Sequence, residues 1–206
     1  MTALPKSTIA RYSAIAIAII AAITLITRVV LASQEQGSIF LGISYLSQFF
    51  TILSNFLVLL IMVAIGLNKT FPKGMLEALV AAIVLVGVIY HVLLAHLWLP
   101  QGIAMLADQG VHTVVPVLTF IWWLVFSERR AMLWKDTFKV LVWPLLYVAY
   151  ALIRAQWSGF YPYPFLNLAE LGASGLALNV VGLLIVFYVV GLILFAISRY
   201  RSRATS

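Results

Sequence analysis

The amino-acid sequence predicts an all-α, polytopic membrane protein in which six transmembrane helices form a single bundle. Three observations predict this class: the composition, six long apolar runs, and basic residues concentrated on one side of the predicted membrane. Of the 206 residues, 64% are hydrophobic and 9% are charged, whereas a soluble domain carries about 25% charged residues. The net charge of +7 comes from short loops, where membrane topology explains it. We therefore expect no nucleic-acid partner.

Six apolar runs, each close to the roughly 20 residues that cross a bilayer core, are the predicted spans. They lie near residues 10–31, 44–67, 75–98, 104–127, 137–154 and 172–198 of one domain that covers residues 1–206. We predict helices because a helix satisfies its backbone polar groups within lipid. The fourth run is clean only over 111–126, and so its helix should begin just after Pro100 and include Asp108 and His112.

The basic residues indicate how the six spans are oriented. With an even number of spans, one side of the membrane receives eleven of the thirteen Lys and Arg side chains and the other side receives Arg28 and Arg154. The larger group is Lys6, Arg11, Lys69, Lys73, Arg129, Arg130, Lys135, Lys139, Arg199, Arg201 and Arg203. Because basic loops stay in the cytoplasm, both termini should be cytoplasmic, with the chain in the cell (inner) membrane.

Polar residues are concentrated in the half of the predicted bundle that faces outward. At 1.5 Å of rise per residue, Thr51, His91, His112 and Asn179 all lie roughly 10 Å below the outer ends of their helices. Arg28 and Arg154 lie just above this layer, and the inner halves of the spans are almost wholly Leu, Ile, Val and Ala. A polar layer in only one leaflet predicts a site that opens to one side of the membrane.

Helical spacing arranges many of these residues in stripes. The stripes are Ser44, Gln48, Thr51 and Asn55; Trp143, Tyr147, Tyr150 and Arg154; His112, Pro116, Thr119 and Trp123; and Gly172, Gly175, Asn179 and Gly182. Since polar faces avoid lipid, the stripes should face one shared interior.

Each stripe also has an ordinary structural interpretation. Ser47, Ser54 and Thr24 fit hydrogen bonding within or between helices. Asn55 and Asn179 fit either such bonding or a site. Trp98, Trp157, Tyr161 and Tyr163 fit an aromatic belt at the membrane surface. Arg28 and Arg154 fit either surface anchoring or binding of an anionic headgroup or carboxylate.

Histidines inside a membrane are functional candidates by default. His112 is the strongest candidate for a general base, His91 is a second, and His96 lies near the end of its predicted helix. A metal site is the less favoured alternative, because His91 and His96 lack the i, i+4 spacing of a zinc helix, and Asp108 with His112 is the remaining pair. The chain has no cysteine. We predict neither a metal nor a cofactor.

Several short segments resemble the androgen-induced-gene-like family of integral membrane proteins. They are FFTILSN at 49–55, GVHTVVP at 110–116, the pair Tyr90-His91, and WSGFYPYPF at 157–165. The resemblance covers nearly the whole chain as six helices. It implies an intramembrane threonine hydrolase that cleaves fatty-acid esters of hydroxy fatty acids, with Thr51 as the nucleophile and His112 as its base.

The implied chemistry suits these residue types, because a threonine hydroxyl needs a neighbouring base to become a nucleophile. In this interpretation Thr51 forms an acyl intermediate that water then hydrolyses. Asn55, His91, Asp108 and Asn179 are the candidate supporting or oxyanion residues. Gln48, Tyr147, Tyr150, Arg154 and Arg28 are the candidate substrate-binding residues.

A second class of function fits the same pattern. A non-enzymatic protein that binds a lipid or small molecule, or a transporter, would use the same polar cavity without turnover. A transporter would more often show broken helices and a polar path through both leaflets. A structural membrane subunit would leave the buried histidines unexplained. The sequence does not predict the oligomeric state.

Overall fold

The computed structural model describes residues 7–69, 71–72, 74–97, 99–127 and 133–203, and it is 88% helical with no strand in those ranges. The α-helices are α1 (Thr8–Gln36), α2 (Ile39–Leu46), α3 (Phe50–Gly66), α4 (Met75–Ile89), α5 (Gly102–Gln109), α6 (Val115–Phe126), α7 (Val142–Ser158) and α8 (Leu168–Arg203). Short 3-10 helices cover Ala95–Leu97, Trp134–Leu141 and Pro164–Leu166. Lys6, Lys73, Trp98, Arg129, Arg130 and the Arg203 side chain, used in the sequence argument, lie outside the described part.

Within the described residues, five helical segments are long and apolar enough to cross a membrane, and a bent pair makes a sixth if it is counted as one span. The five are Thr8–Gln36, Met75–Leu97, Gly102–Phe126, Trp134–Ser158 and Leu168–Ser202. The sixth would be α2 with α3, which meet at an angle of 99°. The structure therefore has the helical, multi-pass architecture that the sequence predicts.

The predicted second span differs from one straight helix over 44–67. The chain turns sharply at Ser47–Phe49, and Phe49 has extended backbone angles (φ −93°, ψ 129°). The turn frees a backbone carbonyl at Gln48, and the Tyr147 hydroxyl donates to it at 2.8 Å. Broken helices are tolerated in membranes where such groups are satisfied again. Ser44 and Gln48 consequently do not share a helix face with Thr51, which corrects the predicted stripe.

Small side chains bring α1 and α3 close together and form much of the core. Ala10, Ala14 and Ala21 are at most 1% exposed, and a Cβ on Gly66 would lie 2.5 Å from Ile15. Small residues at helix contacts are typical of membrane bundles. This half of the bundle is less purely apolar than predicted, because Glu77 is also buried there, 4% exposed.

Two π-helical turns face each other in the opposite half of the bundle. One extends α4 over Tyr90–Leu94, and the other joins α5 to α6 over Gly110–Val114. A Cβ on Gly110 would lie 2.4 Å from the Thr24 side chain, and so only glycine lets α1 approach this turn so closely. Because a π-turn inserts an extra residue into the helix, it rotates the side chains around it, and such turns are frequent at functional sites.

Candidate functional site

A cavity of about 250 Å³ lies between the two π-turns, α1 and the start of α3. Its lining residues are Arg28, Tyr45, Phe49, Thr51, Ile52, Tyr90, Leu94, Leu97, Asp108, Val111, His112, Pro162, Tyr163 and Pro164. Most of these side chains are apolar or aromatic, with a few polar groups among them. This mixture is typical of binding sites for small molecules. The cavity brings together Thr51, His112, Asp108 and Arg28 from the predicted set.

Thr51 lies in the first turn of α3, directly after the break that follows α2. Its side chain is 8% exposed and lines the cavity. Its backbone carbonyl accepts a hydrogen bond from Asn55 Nδ2 at 2.8 Å. The Tyr163 hydroxyl, on the segment that precedes α8, lies close enough to interact with Thr51. The break thus presents the Thr51 hydroxyl to the cavity from the end of a helix.

His112 is held on one edge by Asp108 and on one face by Tyr90. Its Nδ1 lies 3.1 Å from the Asp108 backbone oxygen and 3.2 Å from Asp108 Oδ1. Its ring stacks on that of Tyr90, with centroids 3.8 Å apart and an interplanar angle of 8°. Both contacts at Nδ1 are with acceptors, which favours the tautomer with the proton on Nδ1. Nε2 is then the nitrogen with a free lone pair.

Asp108 and Arg28 set the electrostatics of the cavity. Asp108 is 2% exposed and accepts a hydrogen bond from the Tyr90 hydroxyl as well as from His112. Arg28 lies near enough for its charge to act on Asp108. The buried Arg28 Nε has no hydrogen-bond partner among the described residues. Arg28 and Asp108 therefore bring opposite charges to the wall of one cavity.

A second, narrower cavity of about 40 Å³ adjoins the first at Thr51. Thr51, Leu94 and Tyr163 line both cavities. The other lining residues of the narrow cavity are Phe50, Leu85, Val86, Ile89, Pro144, Tyr147, Phe165, Leu166, Leu183 and Phe187. Of the predicted substrate-binding residues, Tyr147 lies here and not in the wider cavity.

Arg154 lies outside both cavities and joins α7 to α2. Its guanidinium donates to Ser44 O at 2.7 Å, Ser44 Oγ at 3.1 Å, Ser47 Oγ at 3.1 Å and the Tyr150 hydroxyl at 3.0 Å. Tyr150 and Arg154 also line a third, open pocket of about 430 Å³ together with Ser44 and Trp157. The hydrogen bonds of Arg154 hold the bent helix pair together, and the role of Arg154 and Tyr150 in substrate binding stays a prediction.

The polar stripe on α7 contacts the bent pair at two further points. Gln48 is 5% exposed and, as described, its carbonyl accepts from Tyr147. Trp143 Nε1 donates to Ser54 Oγ at 3.0 Å. Ser47 and Ser54 thus take part in hydrogen bonding between helices, as the structural interpretation of these serines predicts.

Asn55 and Asn179 are engaged with backbone carbonyls. Asn55 Nδ2 donates to Thr51 O at 2.8 Å and to Val111 O at 3.0 Å, which uses both of its N–H groups. It therefore links α3 to the π-turn and has no donor left for an oxyanion. Asn179 Nδ2 donates to Phe165 O at 3.1 Å and ties α8 to the preceding segment, away from the wider cavity.

His91 does not line the cavity, although its ring packs edge to face against that of its neighbour Tyr90, which does, with centroids 5.0 Å apart. Its side chain is exposed, and Nε2 lies 2.9 Å from Thr113 Oγ1, which in turn donates to Gln109 Oε1 at 2.8 Å. Among the described residues, no three His, Asp or Glu side chains come together in a group that could hold a metal ion.

Tyr90, Tyr45 and Tyr163 are cavity residues that the sequence argument did not assign to the site. Tyr163 was predicted to belong to an aromatic surface belt, but it lies beside Thr51 in both cavities. The sequence did carry one signal that Tyr163 is held in place. It lies between Pro162 and Pro164, and two prolines restrict the backbone that carries its side chain. Trp157, 81% exposed, remains compatible with a belt.

No protein-family model, curated protein or solved structure matches the chain. The family resemblance described above therefore stays a prediction.

Proposed function

We propose that the protein is an intramembrane hydrolase of lipid esters that uses Thr51 as its nucleophile and His112 as its general base. One observation carries the proposal: both side chains line one cavity, and the His112 ring is fixed there through Nδ1 by Asp108. A base held at one nitrogen by a third group, next to a hydroxyl, is the arrangement that activates nucleophiles in acyl transfer. The proposed substrates resemble fatty-acid esters of hydroxy fatty acids.

The proposed reaction has two steps. Thr51 Oγ attacks the ester carbonyl while His112 Nε2 accepts its proton, and His112 then returns that proton to the departing alcohol. Water then attacks the acyl-threonine while His112 accepts a proton from it, and His112 returns that proton to Thr51 Oγ, which releases a carboxylic acid and restores Thr51.

The Tyr163 hydroxyl is the proposed donor to the developing oxyanion. It lies beside Thr51, whereas the two N–H groups of Asn55 are occupied and His91 lies outside the cavity. Asn55 and Asn179 are then supports of the fold around the site, and Asp108 orients the base.

The site is proposed to lie in the outer half of a cell (inner) membrane, with both termini in the cytoplasm. Arg28 and Arg154 belong to the end of the bundle that holds the cavity. Arg11, which contacts the Gly66 carbonyl at 3.1 Å, and Arg201, which donates to Ser127 Oγ at 3.1 Å, belong to the opposite end. This separation of basic side chains supports the orientation.

The test is hydrolysis of lipid esters by purified protein in nanodiscs, with fluorophosphonate labelling as a second readout. Thr51→Ala should abolish labelling and reduce turnover to background, and His112→Ala should lower kcat by roughly 10²–10⁴-fold, as expected for loss of a general base. Thr27→Ala and His96→Ala are matched controls, because both residues lie outside the cavity, and they should retain activity.

A lipid-binding protein without turnover is the second candidate. One observation favours it: the described residues show no hydrogen bond between Thr51 and His112. In many enzymes the bond between nucleophile and base is long until substrate binds, and then it shortens. Saturable lipid binding with no hydrolysis, unchanged by Thr51→Ala, would identify the binding protein.

A further inference from the structure

An open groove lies against the C-terminal part of α8, at the end of the bundle opposite the cavity. Its walls are Leu192, Phe195, Ala196, Arg199 and Tyr200 on α8 and Trp134 at the start of the span Trp134–Ser158. The five α8 residues are spaced 3, 1, 3 and 1 apart, which places them on one face of the helix. The groove shares no lining residue with the Thr51 cavities.

The groove changes from apolar to cationic along the helix. Leu192 and Ala196 form the part that lies deeper in the predicted membrane. Arg199 lies seven residues beyond Leu192, or roughly 10 Å toward the helix end, and α8 ends one turn later at Arg203. Hydrocarbon contact at depth and a cation at the membrane surface match the two parts of a phospholipid, its acyl chains and its phosphate.

Arg199 is held by an aromatic ring and not by a carboxylate. Its guanidinium carbon lies 6.0 Å from the centroid of the Phe195 ring. Phe195 is 3% exposed and packs against the Trp134 ring, with centroids 4.5 Å apart. No carboxylate of the described residues forms an ion pair with Arg199, and Asp136, on the same 3-10 helix as Trp134, pairs with Lys139 at 2.7 Å. A cation–π contact leaves the guanidinium N–H groups available for an anion.

The aromatic residues place the mouth of the groove at the membrane surface. Trp134 and Tyr200 are 63% and 76% exposed, and their amphipathic rings are typical of the headgroup level. Lipid is the material that contacts an open groove in such a place. Basic pockets at this level bind anionic headgroups, and the arginine fork matches phosphate oxygens. Charge complementarity therefore favours an anionic phospholipid over a zwitterionic one.

We propose that the groove binds one anionic phospholipid, with its phosphate on Arg199 and an acyl chain along Leu192 and Ala196, beside Trp134. The bound lipid joins the end of α8 to the start of the span Trp134–Ser158. The site is separate from Thr51 and His112, and so the inference does not depend on the proposed hydrolase function.

The experiment measures binding of phosphatidylglycerol and phosphatidylcholine with identical acyl chains to the detergent-purified full chain by native mass spectrometry. The first phosphatidylglycerol should bind roughly fivefold more tightly than the first phosphatidylcholine, as expected for one basic side chain near an anionic headgroup. Arg199→Gln should remove this preference. Ala196→Trp, which fills the groove but keeps the cation, should weaken binding of the first phosphatidylglycerol.

Lys69→Gln and Val189→Trp are the matched controls for charge and for bulk. Lys69 is exposed at the same end of the bundle, Val189 is 47% exposed on α8, and neither lines the groove. Both variants should retain the wild-type preference and affinity. An excess of inorganic phosphate should displace little phosphatidylglycerol, because it lacks acyl chains.

Four outcomes would overturn the proposal. Equal affinity of the wild type for the two lipids, or a preference that survives Arg199→Gln, would exclude Arg199 as the headgroup ligand. A loss of preference as large in Lys69→Gln would indicate diffuse attraction by the basic end and not a site. Full displacement by inorganic phosphate, or unchanged binding in Ala196→Trp, would show that no acyl chain occupies the groove.

Discussion

The imidazole of His112 has two separate supports from Asp108, and they differ in what a substitution removes. One is the Asp108 backbone oxygen at 3.1 Å from Nδ1, which survives any change of side chain. The other is the carboxylate at 3.2 Å, which also accepts from the Tyr90 hydroxyl. The backbone contact should keep the ring in place. The carboxylate should mainly stabilise the positive charge that forms on His112 during proton transfer.

Asp108→Asn is therefore expected to lower kcat by roughly tenfold, with KM little changed. The loss should be clearly smaller than that of His112→Ala, because the general base and its backbone contact are both retained. Steady-state kinetics on one lipid ester would measure it.

Tyr90→Phe is the companion variant, since it removes the hydroxyl that Asp108 accepts from but keeps the ring that stacks on His112. Its loss should be smaller still. A Tyr90→Phe variant less active than Asp108→Asn would contradict the assignment of Asp108 as the group that supports His112.

At the scale of elements, the bent pair of α2 and α3 creates the site, and α7 holds the bend. The break places Thr51 in a first helical turn, where its side chain can face the cavity. Arg154 joins α7 to α2 through donors to Ser44, Ser47 and Tyr150. The bend is thus stabilised by a different helix, since the break itself contains neither Gly nor Pro.

Arg154→Gln is expected to destabilise the protein by about 2 kcal/mol. Each lost hydrogen bond from a charged donor is worth about 1.5–3 kcal/mol, but the variant also avoids part of the free-energy cost of removing the cation from water. In thermal unfolding this corresponds to a decrease in Tm of roughly 4–8 °C. Arg28→Gln is the matched control, because Arg28 makes no hydrogen bond among the described residues. The Tm of the Arg28→Gln variant should differ little from that of the wild type. A raised KM for Arg154→Gln at unchanged Tm would instead support the role in substrate binding that the sequence predicts.

The sequence predicts the helices well and the faces of two of them poorly, for identifiable reasons. The length of the apolar runs is sufficient to predict the spans, because a long apolar run follows directly from contact with lipid. The 4-3-4 spacing from Ser44 to Asn55 assumes one continuous helix, and the break at Ser47–Phe49 carries no local signal of its own. It depends on the Tyr147 and Arg154 contacts, which come from residues about a hundred positions away.

The π-turns limit prediction in the same way. Tyr90 lines the cavity and His91 does not, although their rings pack edge to face in the turn that begins at Tyr90. Thr51 and His112 were predictable as residues of one cavity because depth along a helix survives the local rotation that a π-turn causes. Tyr163 was not, since it lies in a loop whose path depends on the packing of α8.

At the scale of the whole molecule, the two ends of the bundle have different character. The cavity end holds Arg28 and Arg154, whereas Arg11 and Arg201 contact helix ends at the opposite side. The charge bias predicts that the cavity end faces outward and that the basic end faces the cytoplasm. The absence of cysteine from the sequence makes this orientation directly testable by labelling.

Single cysteines introduced at the two ends of the bundle should therefore differ in their reaction with a membrane-impermeant reagent. Ser38→Cys, between α1 and α2, and Ser158→Cys, at the end of α7, are exposed positions at the cavity end and should react with a membrane-impermeant maleimide in intact cells. Ser7→Cys and Lys69→Cys, exposed at the basic end, should react only after the membrane is permeabilised. The reverse pattern would place the cavity on the cytoplasmic side, so that the ester substrate would be drawn from the inner leaflet. Labelling of all four in intact cells would contradict a bundle with an even number of spans and a single cytoplasmic face.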